Sequence, residues 1–319
     1  MTTDSVRESE DQGCRFRRIK KQGIRVGLDV TGRCNLRCRH CFACSEEKEL
    51  DTGQLLALVD QLRDIDAHKI ILTGGEPLLR RDIEQVVELA IARNLGVDLN
   101  TNLSPLTYKR AYRLRRAGLD EISTSIDGLS EYHDWFRRAP GDFDRVVTGI
   151  RLAVDLGYEV DVHGVCTGGN LAHSADVIDL CAELGVSSYT LLAVVPRRWS
   201  ARGWGDSQFS LQPPDKIVLW QILRRKRAEY GQQLPIRTVD IFEHPTCEEC
   251  TMAEQVAGIT PTGKVLPCLL AEYTPGGEEN LETRRLRDVW EIVQERTRNE
   301  GKKRRCTDLS DGSRSGNST

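Results

Sequence analysis

The chain has 319 residues, enough for one large α/β domain with a small appendage or for two modest domains. Its 45 Lys and Arg against 48 Asp and Glu leave a formal charge of -3. That balance removes the electrostatic case for a nucleic-acid partner, and the Arg-rich runs 15–21, 224–227 and 302–305 read as solvated surface. No apolar run approaches the ~20 residues that cross a bilayer, and the first 23 residues contain no signal-peptide stretch. A cytoplasmic protein with no membrane partner is expected. Eleven cysteines in a reducing compartment argue against disulfides, and their clustering points to metal.

Residues 1–23 and 307–319 are polar, lack periodicity and are expected to be disordered. Alternating apolar residues predict a strand over Ile24–Val30. A helix follows over Thr52–Ile65, with an apolar stripe of Leu55, Leu56, Leu58, Val59 and Leu62. Lys69–Thr73 reads as a strand. The next helix opens near Asp82, with Gln85 three residues on in a capping-box pattern. The alternation continues with strand Val97–Asn100, helix Thr107–Ala117, strand Glu121–Ser125 and helix Asp144–Leu156. Strand Val160–Cys166, helix Ser174–Leu184 and strand Ser188–Val194 complete it. Gly96, Gly118, Gly157 and Gly185 are read as helix-ending glycines.

Strands alternating with helices imply parallel pairing with crossover helices. The expected class is α/β, an open partial (β/α)6 barrel over 24–210. A linker with helix Lys216–Tyr230 spans 211–244, and a small C-terminal cysteine-containing α+β domain spans 245–306.

The loops after the strands carry the chemistry. The first holds Cys34-Asn-Leu-Arg-Cys38-Arg-His-Cys41. Later ones hold Gly74-Gly75-Glu76-Pro77, Asn100-Thr101-Asn102, Ser125-Ile126-Asp127-Gly128, Thr167-Gly168-Gly169-Asn170 and Pro196-Arg197. Small and polar groups thus gather at the carboxyl ends of the strands, where α/β folds place their sites. Three thiolates at these spacings suit one iron–sulfur cluster with one iron left free of protein ligands. On the triad alone, a structural zinc knot with Cys44 as fourth ligand is the alternative.

CxxxCxxC after the first strand, with GGEP after the second, resembles the radical SAM superfamily over about residues 24–210. The resemblance implies a [4Fe–4S] cluster on Cys34, Cys38 and Cys41 that chelates S-adenosylmethionine (SAM). Reductive cleavage of SAM would yield a 5′-deoxyadenosyl radical that takes hydrogen from a substrate. By the same resemblance, Gly74, Gly75 and Pro77 shape the approach to the methionine amino group, and Glu76 completes that contact. Ser125, Asp127 and Arg137 lie in a segment similar to SxDG…HDxxR, in which serine and arginine hold the SAM carboxylate. A guanidinium fork matches a carboxylate; a plain surface cation is the alternative for Arg137. Asn102 falls to the ribose, with a cap on its own turn as the alternative, His40 to the place of an aromatic near the adenine, and Leu192 to the adenine pocket. A reducing electron donor such as flavodoxin or ferredoxin is the implied partner.

The pair Cys247-Glu-Glu-Cys250 and the piece Ile259–Cys268, read as a hairpin turning at Thr262-Gly263, resemble the opening of a SPASM or twitch domain in truncated form. Cys247, Cys250, Cys268 and Cys306 would hold one auxiliary [4Fe–4S] cluster, with a structural zinc site as the alternative. Cys14 and Cys181 read as inert. Cys166, at the end of the fifth strand, reads as barrel filling, with hydrogen-atom donation as the functional alternative.

An auxiliary cluster beside the substrate favours net oxidation, so a radical SAM oxidoreductase is expected. A first strand at residue 24 leaves no room for an N-terminal peptide-binding domain. That favours a small polar substrate (a sugar, aminocyclitol or nucleoside) dehydrogenated or decarboxylated in a biosynthetic pathway. Residues 197–204 and 240–244 are the candidate substrate contacts. A peptide- or protein-modifying maturase is the alternative among enzymes. A non-catalytic iron–sulfur or zinc protein is the alternative outside them, and it would have no use for GGEP, Ser125 and Arg137.

Overall fold

The computed structural model describes residues 23–41, 48–193, 211–239, 254–267, 281 and 284–300. The chain runs β1 (Ile24–Thr31), α1 (Thr52–Gln61), β2 (Ala67–Gly74), α2 (Ile83–Ala92), β3 (Gly96–Asn100) and α3 (Tyr108–Arg116). It continues through β4 (Glu121–Ser125), α4 (Ser130–Arg137), α5 (Asp142–Asp155), β5 (Glu159–Cys166), α6 (Ser174–Glu183) and β6 (Ser188–Ala193). Then come α7 (Pro213–Tyr230), β7 (Ile236–Val239), β8 (Val256–Ile259), β9 (Val265–Leu266) and α8 (Leu286–Glu300).

The strands form one sheet in the order β7-β6-β5-β4-β3-β2-β1-β8-β9. Every neighbouring pair is parallel except β8 with β9. The sheet is an unclosed partial barrel, as expected, and it continues past six strands on both sides. β7 extends it beside β6, and β8 extends it beside β1. The expected hairpin at Thr262-Gly263 is present, closed by Gly263 N–H donating to the Thr260 carbonyl at 2.9 Å. Among the described residues, no helix is long and apolar enough to cross a membrane.

Side chains alternate faces along each strand. Val26, Leu28 and Val30 of β1, Ile70 and Leu72 of β2, and Leu99 of β3 lie in one core with Leu58, Val86, Leu114 and Ile150 of the helices. The opposite, concave face is polar: Asp29, Thr73, Asp98, Asn100, Ser123, Ser125, Asp161, His163, Thr190 and Arg237 share it by register. Apolar side chains are left to the helix layer, where water is excluded.

Several local expectations change. The helix expected over Thr52–Ile65 tightens after Gln61 into a 3-10 turn, Leu62–Ile65. Helix α4 and strand β7 were not foreseen: both are short, and the buried face of α4, His133, Phe136 and Arg137, is mostly polar and carries no apolar stripe. Asp82 does not cap α2 with its side chain. Its carboxylate goes to Arg80 instead, at 2.9 and 2.6 Å, and accepts the Thr52 hydroxyl at 2.7 Å. A capping box forms one helix earlier, from Asp51 and Gln54. Gly96 does not end a helix: Asn94 takes the left-handed conformation (φ 56) and Gly96 opens β3.

The Arg80–Asp82 pair is buried and also bonds the Val30 carbonyl at 2.9 Å and the Leu50 carbonyl at 3.1 Å, so it ties β1, α1 and α2 together. Removing one member of a buried pair leaves the other uncompensated. Arg80→Ala is therefore expected to cost about 3–5 kcal/mol in urea unfolding at pH 7. Hydrogen bonds from Arg80 hold Asp82 down to about 2. The stabilisation is complete above the ordinary carboxylate value of ~3.9 and is lost as pH falls toward the depressed one. The difference between variant and wild type should thus narrow at pH 3.

Candidate functional site

The cysteine loop leaves the end of β1 with no regular structure of its own, and its shape comes from its neighbours. Gly75 N–H donates to the Thr31 carbonyl at 2.7 Å, and Glu76 N–H donates to the Arg33 carbonyl at 2.8 Å. A Cβ on Gly75 would lie 2.2 Å from the Arg33 oxygen, and one on Gly74 would lie 2.4 Å from the Thr31 oxygen. The Gly-Gly turn is pressed against the root of the cysteine loop, where only glycine fits. Pro77 is buried and opens a short 3-10 turn, Pro77–Leu79.

Glu76 has no exposure. Its Oε1 accepts the Thr101 hydroxyl at 2.6 Å and Leu78 N–H at 2.9 Å, and its Oε2 accepts Asn102 N–H at 2.7 Å. This carboxylate joins the loops after β2 and β3, so it braces the same turn that the resemblance assigns to the methionine amino group. Burial pushes its carboxyl up, against those three bonds. Asn102, expected at a ribose or as a cap on its own turn, makes the turn contacts. Its Oδ1 accepts Ser104 N–H at 3.0 Å, and its Nδ2 donates to Asn35 Oδ1 at 3.0 Å and reaches Cys34 Sγ at 3.9 Å.

On the other side, α4 straps the loop. Arg39 N–H donates to the Phe136 carbonyl at 2.8 Å, and its guanidinium lies 4.2 Å from the centre of the Trp135 ring. His40 stacks on Phe136 at 4.6 Å and 11°. Burial, then Arg137, pushes the His40 imidazole down to about 4, so it is neutral. Arg137 donates through Nε to Asp127 at 2.6 Å, and its Nη1 reaches Cys38 Sγ at 3.8 Å. Asp127 also accepts Val165 N–H at 2.9 Å, and its carbonyl accepts Asn170 Nδ2 at 2.5 Å. Burial works to raise Asp127, but Arg137, the neighbouring imidazoles and the Val165 N–H together hold it below the usual carboxylate range. Trp135 and Phe136 escaped the sequence reading, and Thr101 and Asn170 were placed in the strand-end loops without a role of their own. The aromatic pair inside His-Asp-Trp-Phe-Arg was the available signal.

Ser125 and Leu192 stand half-buried on the concave face. Cys166 does not: it is 1% exposed, on the helix-facing side of β5, and burial pushes its thiol up to about 12. It packs in the core with the helix layer. Cys181 is equally buried. Cys14, Cys44, Cys247, Cys250, Cys268, Cys306 and the segments 197–204 and 240–244 lie outside the described residues.

Cys34, Cys38 and Cys41 are free thiols. Among the described residues, no three His, Cys, Asp or Glu side chains close on a single metal ion. A cluster has no need of that, since each thiolate takes a separate iron. Burial pushes the Cys34 and Cys38 thiols up, while Arg137 works the other way on Cys38. Leu36 N–H at 3.4 Å from Cys34 Sγ, Asn102 and Arg137 supply N–H groups to sulfur, as anionic thiolates in a partly dry site require. The donor set fits a [4Fe–4S] cluster. Such a cluster supplies the electron that cleaves SAM; the protein's part is to hold, orient and shield. Replacing Cys34, Cys38 and Cys41 together by Ala is expected to abolish 5′-deoxyadenosine formation by the dithionite-reduced protein, measured by chromatography.

Residues 28–184 match the radical SAM superfamily model. The AdoMet-dependent heme synthase of Oleidesulfovibrio alaskensis is 28% identical over 291 residues, covering 83% of this chain and 74% of that protein. The PqqA peptide cyclase of Methylocella silvestris is 28% identical over 279 residues, covering 83% and 74%. SuiB of Streptococcus suis superposes with a TM-score of 0.71 at 16% identity, and the match spans 84% of this chain and 65% of SuiB. SuiB has also been solved bound to S-adenosylmethionine and to the precursor peptide SuiA. With the cysteine triad, the Gly-Gly turn and the open parallel sheet, residues 28–184 place this chain in the radical SAM superfamily, whose members use a [4Fe–4S] cluster and SAM.

Proposed function

We propose that this radical SAM enzyme modifies a peptide, with one auxiliary cluster on Cys247, Cys250, Cys268 and Cys306 taking up an electron in a net oxidation. The observation that carries the reading is the open sheet. β7 and β9 are its edges among the described residues and do not pair with each other, and we read the polar concave face between them as room for a chain longer than a sugar. The likeness to a PqqA peptide cyclase, and to SuiB, solved with its precursor peptide, supports the same reading. It moves ahead of the sugar, aminocyclitol or nucleoside expected from the sequence. Ser125 and Arg137 remain the proposed holders of the SAM carboxylate, and flavodoxin or ferredoxin the proposed electron donor. A tetrapyrrole substrate is the second reading, favoured by the heme synthase at 28% identity over 291 residues.

The test uses protein reconstituted anaerobically with iron and sulfide, supplied with SAM and dithionite. It is given in parallel a short peptide encoded beside its gene and Fe-coproporphyrin III. A mass change in the peptide, matched by 5′-deoxyadenosine, is expected. Turnover of the porphyrin with the peptide unchanged would overturn the proposal. In the triple-Ala variant, about four irons per chain should remain if the C-terminal cysteines hold a [4Fe–4S] cluster. Zinc in their place would remove the oxidative step.

A further inference from the structure

Most charges on the concave face are answered by other protein groups. Lys69 reaches over Gly96 to pair with Glu121. Asp161 accepts the Ser188 hydroxyl at 2.5 Å and lies 3.5 Å from His163 Nε2 and 3.8 Å from Arg237. Two carboxylates break the pattern. Asp29 pairs in register with Thr73, one pair before the Thr31–Gly74 pair from which the cysteine loop and the Gly-Gly turn depart. No donor or cation among the described residues answers it, and burial alone pushes its carboxyl up to about 6.

Asp98 pairs in register with Ile71, one inward position deeper and across β2. One of its oxygens accepts the Ser123 hydroxyl at 3.1 Å, while Oδ1 is buried without a partner. Lys69, Glu121 and His163 face it, but the Lys69 ammonium is committed to Glu121. Burying carboxylate oxygens without partners is costly, and here Asp29 and the Oδ1 of Asp98 flank Ile71 and Thr73 on the face beneath the cysteine loop. An ionised carboxylate only accepts hydrogen bonds, so its complement is a cation rich in N–H donors.

We propose that Asp29 and Asp98 receive a positively charged nitrogen of the substrate, an ammonium or guanidinium group, beneath the cysteine loop. The site rests on the peptide reading only for its source, a Lys or Arg side chain or an amino terminus. The methionine amino group of SAM carries the same chemistry, and the experiment separates the two.

Calorimetry on the reconstituted, SAM-loaded protein compares N-acetyl-lysinamide with its uncharged counterpart N-acetyl-norleucinamide. It does so for wild type, Asp29→Asn, Asp29→Glu and Asp98→Asn, with SAM affinity measured on the same proteins. Iron content confirms that each variant is folded and loaded. The lysine amide should bind wild type in preference to the norleucine amide. It should bind Asp29→Asn about tenfold or more weakly, with part of the loss restored in Asp29→Glu. Equal binding of the two amides, or an undiminished lysine signal in Asp29→Asn, would overturn the proposal. A loss confined to SAM affinity would also overturn it, by assigning the carboxylate to SAM. Because binding needs no turnover, an Asp29-dependent lysine signal beside an unmodified peptide sinks the peptide reading alone.

Discussion

Asp127 is a carboxylate with almost no access to water, so its charge must be answered inside the protein. The groups that answer it come from different parts of the chain. Arg137 comes from the end of α4 and Val165 N–H from β5, while Asn170 holds the Asp127 carbonyl from the turn beyond β5. Through Arg137 the same network reaches Cys38 Sγ. The position of one cysteine is thereby fixed by strands and a helix remote from it in sequence. Breaking such a network costs more than any single bond in it, because the remaining groups stay buried and unpaired.

Glu76 plays the matching part on the other side of the loop. A fully buried carboxylate that collects Thr101, Leu78 and Asn102 locks the turn after β2 to the loop after β3. Asn102 then braces Cys34 and Asn35. Between these two anchors the cysteine loop needs no helix or strand of its own. Stacking of His40 on Phe136 and of Arg39 on Trp135 adds an apolar seal over the strap. A preorganised loop of this kind lets a cluster bind without ordering the chain at the same time, so less affinity is lost to conformational entropy.

The sheet divides the work of the molecule by face. Its convex side is apolar and packed by helices, which supplies stability. Its concave side is polar and charged, which would be costly in a closed, dry barrel and is tolerable in one that stays open. Radical chemistry at the top of that face needs a substrate held close to SAM and away from competing donors. The proposed site at Asp29 and Asp98 would serve that task, and the thiol of Cys166 faces the helix layer instead.

The strand–helix alternation, the parallel sheet, the cysteine triad and the Gly-Gly turn were legible in the amino-acid order because each rests on local pattern: period-2 strands, apolar helix stripes, and ligands within one loop. The sequence alone determined that this is a radical SAM protein with an open α/β fold. The tertiary structure decided the duties of individual polar residues. Glu76 and Asn102 read as ligand contacts in the sequence, and the fold adds that they also brace the site through Thr101 and Asn35, residues whose proximity no local pattern encodes. Helix α4 was invisible because eight charged and aromatic residues hold together by packing on the cysteine loop, with little propensity of their own. Asp29 looked like an ordinary polar position in a strand. Only the register of β1 with β2, with no donor among the described residues bonded to it, turned it into an unanswered carboxylate.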